Sequence, residues 1–140
     1  MSGVGDGLKR NGARTDRRSL DDALRGRTYA IPFDRVWNAA LALAGGELRG
    51  WGVSRSDDQA GVVDAVSTPL LLGAAADVRI RIGLDSNGQT RVDMEAKSRT
   101  GRGDLGSNRR RIRRFMDALD RKLGATPAQI LDGSRELSPT

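Results

Sequence analysis

The chain has 140 residues and a formal net charge of +6, with 24 Lys and Arg against 18 Asp and Glu, and it contains neither cysteine nor histidine. That composition excludes disulfides, thiol nucleophiles, histidine acid–base chemistry and the common zinc sites. A hydrophobic content of 37% suffices for one domain with a modest core, and aromatics at 4% leave few stacking platforms for single-stranded nucleic acid.

Residues 1–26 are rich in Gly, Arg and Asp without a sustained period, and read as a flexible basic arm. Within it, Ser19-Leu20-Asp21-Asp22 can cap a short helical turn. No apolar h-region is present in this stretch, and the longest apolar run, PLLLGAAA, is too short to span a bilayer. The expectation is a cytoplasmic chain, or one peripheral to the membrane, with no transmembrane segment.

The organised part is expected over 27–124. RTYAI (27–31) is a short β-type run ending at Pro32. Asp34 is the expected N-cap of a following helix, with Phe33 stapling onto its first turn near Trp37. Trp37, Ala40, Leu41, Ala44 and Leu48 lie at helical spacing, which makes Trp37 a core residue. Gly45-Gly46 weaken the second half of this helix, and Gly50 suits its end.

Two hairpins follow. WGVSRS and GVVDAVST flank a short turn ending in Gly61. DVRIRIG and TRVDMEAKS flank DSNGQ, and here the register can be derived. A two-residue Asn87-Gly88 turn would set Ile82 against Asp93, inside against outside. A three-residue loop, Ser86-Asn87-Gly88 with Gly88 left-handed, sets Ile82 opposite Val92, Ile80 opposite Met94 and Val78 opposite Ala96. The outer face then opposes Arg81 to Asp93, Arg79 to Glu95 and Asp77 to Lys97.

A last helix, from about Ser107 to Leu123, carries Ile112, Phe115, Met116, Leu119 and Leu123 as its apolar stripe. The tail 125–140 has two prolines and reads as mostly irregular. The order β-α-β-β-β-β-α predicts an α+β two-layer sandwich: an antiparallel sheet of four to five strands with two helices on one face.

TGRGDLGSNRRR (100–111) invites three readings. G-x-G-x-x-G lacks its dinucleotide context, because the preceding strand is antiparallel and no parallel strand follows the helix. Arg-Gly-Asp lacks an export signal. The arginines remain. Arg109, Arg110 and Arg111 fall near the start of a helix, where the macrodipole disfavours cations. Together with Arg99, Arg102, Asp104, Asn108, Arg113 and Arg114 they form a candidate anion or partner corner, set against the plainer reading of a solvated face. Leu70, Leu71 and Leu72 cannot all face inward on one strand. They belong either to a strand end with a buried crossover or to an exposed apolar contact.

The stretch SRTGRGDLGSNRRRIRRFMDAL (98–119) resembles the C-terminal signature of a bacterial family, domain of unknown function 1499, through Ser98, Arg99, Gly101, Asp104, Gly106, Asn108, Arg111, Ile112 and Phe115. VWNAALALA (36–44) and GVVDAVST (61–68) resemble the family's first helix and second strand. The resemblance spans about residues 27–123. It implies no known activity, substrate or cofactor, but a compact domain often found in exported or membrane-linked proteins. The chain departs from the family around 68–77, where an aromatic and two acids are usual and only Asp77 remains. In physical terms the motif reads as a glycine-rich corner in which Arg99 or Arg111 pairs with Asp104 and Asn108 hydrogen-bonds the helix start.

The expected function is a non-enzymatic binding module, without metal or cofactor, whose basic corner contacts an acidic protein partner or a membrane surface. The alternatives are nucleic-acid binding through the arginine-rich helix, or a small ligand between helix and sheet.

Overall fold

The computed structural model describes residues 8–9, 12–71, 73–100 and 105–131. In chain order these form β1 (Leu8–Lys9), β2 (Gly12–Arg14), β3 (Arg27–Tyr29), α1 (Phe33–Ala42), β4 (Trp51–Asp57), β5 (Val62–Ser67), β6 (Ala76–Leu84), β7 (Thr90–Ser98), α2 (Leu105–Leu123) and β8 (Ile130–Leu131). All strands belong to one antiparallel sheet in the order β1-β2-β7-β6-β5-β4, with β3 also pairing β7 and β8 pairing β3.

Alternation builds the sheet's two faces. Val63 and Ala65, then Val78, Ile80 and Ile82, then Val92, Met94 and Ala96 point to one side and are buried. Val36 and Ala40 of α1, and Ile112, Phe115, Met116 and Leu119 of α2, meet them in a single cluster. The other side carries the charges. The class is therefore α+β with both helices on one face, as the sequence predicts.

The β6–β7 register agrees at all six predicted pairs, and Asp77, Arg79 and Arg81 do oppose Lys97, Glu95 and Asp93. Gly88 adopts φ 76, the left-handed position the three-residue loop requires. The Asp85 carboxylate accepts from the backbone of Asn87 and Gln89, each at 2.9 Å, and closes that loop. The ion pairs, however, form elsewhere. Arg79 grips Asp64 on β5 through two bonds of 2.8 and 3.0 Å. Asp77 receives Arg99 at 3.0 Å, and Asp93 receives Arg91 at 2.8 Å. Asp64 lies directly opposite Arg79 on its other flank, Arg99 is diagonal to Asp77, and Arg91 is two positions from Asp93 on one strand, so each arginine takes one of several carboxylates within reach.

Three expectations are corrected. Asp34 is not the N-cap of α1: Pro32 occupies that position without a side-chain cap bond, and Asp34 lies in the first turn. Phe33 does stack on Trp37, at 5.9 Å between ring centroids. The helix then runs on into a π-type segment, Leu43–Glu47, in which Gly46 takes φ 133. Finally, the sheet is wider than four to five strands, because both termini join it. Residues 12–26, expected within a flexible arm, contain β2 and a 3-10 turn at Asp22–Leu24, and Leu24 is fully buried. In the tail, Pro127–Gln129 form a turn that leads into β8.

Glycine is required at Gly61 for two reasons. Its φ is 72, and an added Cβ would lie 2.1 Å from the Ile82 carbonyl oxygen. At Gly88 a Cβ would meet nothing within 4 Å. Gly88→Ala should therefore lose only the left-handed penalty, about 1 kcal/mol, while Gly61→Ala should lose at least about twice that. Urea denaturation of the two variants checks this, and equal losses would contradict it.

Candidate functional site

The predicted corner residues do not gather at one point. Arg102, Asp104 and Leu72 lie outside the described residues. Arg99, exposed at the end of β7, is taken up by Asp77. Arg109 turns to Asp21, with bonds of 2.5 and 2.9 Å. Arg113 is exposed and sits 3.9 Å from Asp117 along its own helix. Because α2 begins at Leu105 rather than Ser107, Arg109, Arg110 and Arg111 fall beyond the first turn, where the opposition of the macrodipole has faded.

Asn108 and Arg111, one turn apart on α2, face the ends of the strands. Asn108 is fully buried and donates from Nδ2 to the Ser98 hydroxyl at 2.9 Å. Arg111 is half-buried. Its Nη1 donates to Asn108 Oδ1, its Nε to the Ser67 hydroxyl at 3.0 Å and its Nη2 to the Ala74 carbonyl at 3.2 Å. Ser67 and Ser98 occupy inward positions at the ends of β5 and β7, where small hydroxyl side chains leave room for these groups. The motif residues Ser98, Asn108 and Arg111 thus bind the helix to two strands and, through Ala74, to the β5–β6 loop. The expected pairing of Arg99 or Arg111 with Asp104 lies outside the described residues; among those described, Arg111 is held by neutral acceptors and Arg99 pairs with Asp77.

Burial, and then the charge of Arg110 beside it, push the Arg111 pKa below the usual guanidinium value. Each cause disfavours the cation, so a nearby anion would be welcome there.

Arg111 borders a groove of about 430 Å³. Arg49, Arg110 and Arg114 also line it, with the hydroxyls of Ser67, Thr68 and Ser107. Trp51, Pro69, Leu70 and Leu71 supply an apolar side, and no carboxylate is among the described lining residues. The segment after β5 is a hairpin loop to the adjacent antiparallel β6 and not a crossover, and with Leu70 58% exposed and Leu71 93% it is an apolar lip rather than buried chain. The structure therefore joins two features that the sequence offered separately, part of the arginine cluster and the leucine run. Arg49, Trp51, Ser67, Thr68 and Ser107 were not singled out from the sequence. Only the Thr-Pro step before the leucines marks a break there, and nothing local ties Ser67 to an arginine 44 positions away.

The architecture defines the protein first as an α+β domain with a one-sided helical cover and a basic, apolar-lipped groove at one end. The profile of a family described as a protein of unknown function (DUF1499) matches residues 12–119, and the chain belongs to that family. The match begins at β2, in agreement with the inclusion of that strand in the fold. No curated relative matches the chain.

The Arg109–Asp21 pair makes a pH prediction. The hydrogen bond from Arg109 holds the Asp21 carboxyl below the usual carboxylate range, against the opposing effect of burial. A carboxylate with a depressed folded-state pKa stabilises the protein above the unfolded value, about 3.9, and that contribution disappears as pH falls through the folded value. Stability should therefore decline in acid below about pH 4, and Asp21→Asn should decline less steeply there. Denaturation midpoints measured across that range test this, and parallel curves for the two proteins would contradict it.

Proposed function

We propose that the protein is a non-enzymatic module that docks on an anionic membrane surface through the groove between α2, the β4–β5 ends and the start of the β5–β6 loop. One observation carries this reading: two exposed leucines stand beside four groove-lining arginines, with no carboxylate among the described lining residues. Arginine attracts lipid phosphate, and leucine enters the acyl boundary beneath it. Nucleic acid would use the arginines but has no use for the leucines. An acidic protein would need a pocket for its own apolar anchors, whereas Leu71 projects outward. Among the described residues the groove side chains offer cations and hydroxyls but no carboxylate base, a set suited to holding an anion rather than transforming it. No helix among the described residues is long and apolar enough to cross a membrane, so the proposed contact lies at the surface.

Flotation with phosphatidylcholine vesicles, with and without phosphatidylglycerol, tests the proposal. Binding should require the anionic lipid and weaken with salt. Each arginine near the surface contributes about 1 kcal/mol, so Arg110→Ala with Arg114→Ala should weaken binding roughly thirty-fold. Leu71→Ser should weaken it at every salt concentration. All three positions are exposed, so the fold should survive. Salt-sensitive binding to a DNA or RNA oligonucleotide, with none to anionic vesicles, would replace this reading with the nucleic-acid one.

A further inference from the structure

Diffuse charge would be satisfied by arginines scattered over a face. The groove differs in having one arginine fixed in place. Arg111 is held by Ser67, Asn108 and Ala74, each taken by a different nitrogen. A guanidinium has five N–H donors, so two of them remain for a ligand among the described residues. Its position is set before any ligand arrives, which lowers the ordering cost of binding. Arg110 precedes it on α2, and Arg114 lies one turn beyond Arg110 on the same groove. Ser67, Thr68 and Ser107 add hydroxyls that can donate to anionic oxygens.

Charge and shape narrow the ligand. Four arginines, with no carboxylate among the described lining residues, favour the anion of highest charge density. A phosphomonoester carries nearly two charges and three terminal oxygens, and each oxygen can meet a guanidinium. A phosphodiester headgroup carries one charge and presents two such oxygens. The groove volume of about 430 Å³ is that of a small-ligand site. Leu70 and Leu71 then border the headgroup with apolar surface, where the first methylenes of an acyl chain would lie.

We infer that the groove is a one-to-one site for a phosphomonoester lipid headgroup of the phosphatidic acid type. Arg111 grips the phosphate from the floor, Arg110 and Arg114 grip it from α2, and the acyl chain lies over Leu70 and Leu71. This rests on the membrane-surface reading and adds to it a discrete ligand and a preference among anionic lipids.

Titration calorimetry of the full chain tests the site with short-chain lipids kept below their micelle concentrations. The probes are dihexanoyl phosphatidic acid, dihexanoyl phosphatidylglycerol and inorganic phosphate. Phosphatidic acid should bind one-to-one and at least about tenfold more tightly than either of the others. Arg111→Lys keeps the charge but loses the fork, so it should abolish that preference. If Arg111→Lys does not fold, Arg114→Lys at an exposed position should erode the same preference. Equal affinity for the two lipids, with flotation intact, overturns the headgroup site and leaves the surface reading standing. Inorganic phosphate binding as tightly as phosphatidic acid assigns the groove to free phosphate and overturns the lipid assignment. Failure of both titration and flotation removes the surface reading as well.

Discussion

Much of this structure depends on how one arginine is held. Arg111 is half-buried, and its described partners are two side-chain oxygens and a backbone carbonyl rather than a carboxylate. Burial of a cation on neutral acceptors is costly unless its donors are used. Here they are used to bring together parts of the chain distant in sequence: the end of β5 through Ser67, the β5–β6 loop through Ala74 and α2 through Asn108. Asn108 then extends the chain of bonds to Ser98 at the end of β7. The N-terminal half of α2 is thereby seated on the strand ends, and the β5–β6 loop with its leucines is tied down beside it. The groove is the open side of this arrangement.

The other half of α2 is seated by a second polar cluster. Tyr29 on β3 is fully buried and donates to Asp120 at 2.5 Å. Arg27 adds bonds of 3.2 Å to both Asp117 and Asp120. Burial and the neighbouring Asp120 charge push the Tyr29 phenol well up, so it remains a donor at any ordinary pH. Between the two clusters run Ile112, Phe115, Met116 and Leu119, all fully buried. A helix fixed at both ends and along its apolar stripe has little freedom to rotate. Arg110 and Arg114 are consequently presented in one direction, toward the groove, while Arg109 is drawn aside by Asp21 and Arg113 stays near Asp117. The same seating that stabilises the domain fixes which of these arginines line the groove.

The sequence was most informative where two local patterns constrained each other. In β6 and β7 the inward apolar residues and the outward charges demanded one register, and that register is present. The apolar stripe of α2 was equally plain. Short strands were not. β2 has three residues and only Ala13 as a buried apolar side chain, so it has no period to detect, and its pairing to Lys97, Ala96 and Glu95 is purely a tertiary matter. The candidate site was legible in parts. The arginines and the leucines each stood out, but their juxtaposition depends on Arg111 reaching Ser67 and Ala74 across long sequence separations. Periodicity carries no information about such contacts. Opposition within one hairpin did not select the ionic partners, since Arg79 takes Asp64, opposite it on β5, rather than Glu95 on β7, and Asp77 receives the diagonal Arg99.

The central claim is that Arg111 is both the pin of the corner and the floor of the anion site. The most direct measurement is the Nε–H resonance of Arg111 in ¹⁵N-labelled protein, followed while dihexanoyl phosphatidic acid is added. The bond to Ser67 should slow exchange of this proton and set it apart from those of exposed arginines. The account predicts that the resonance is protected without ligand and moves saturably to a one-to-one end point. An unprotected resonance, or one that stays still while the signals of exposed arginines drift without saturating, would contradict it.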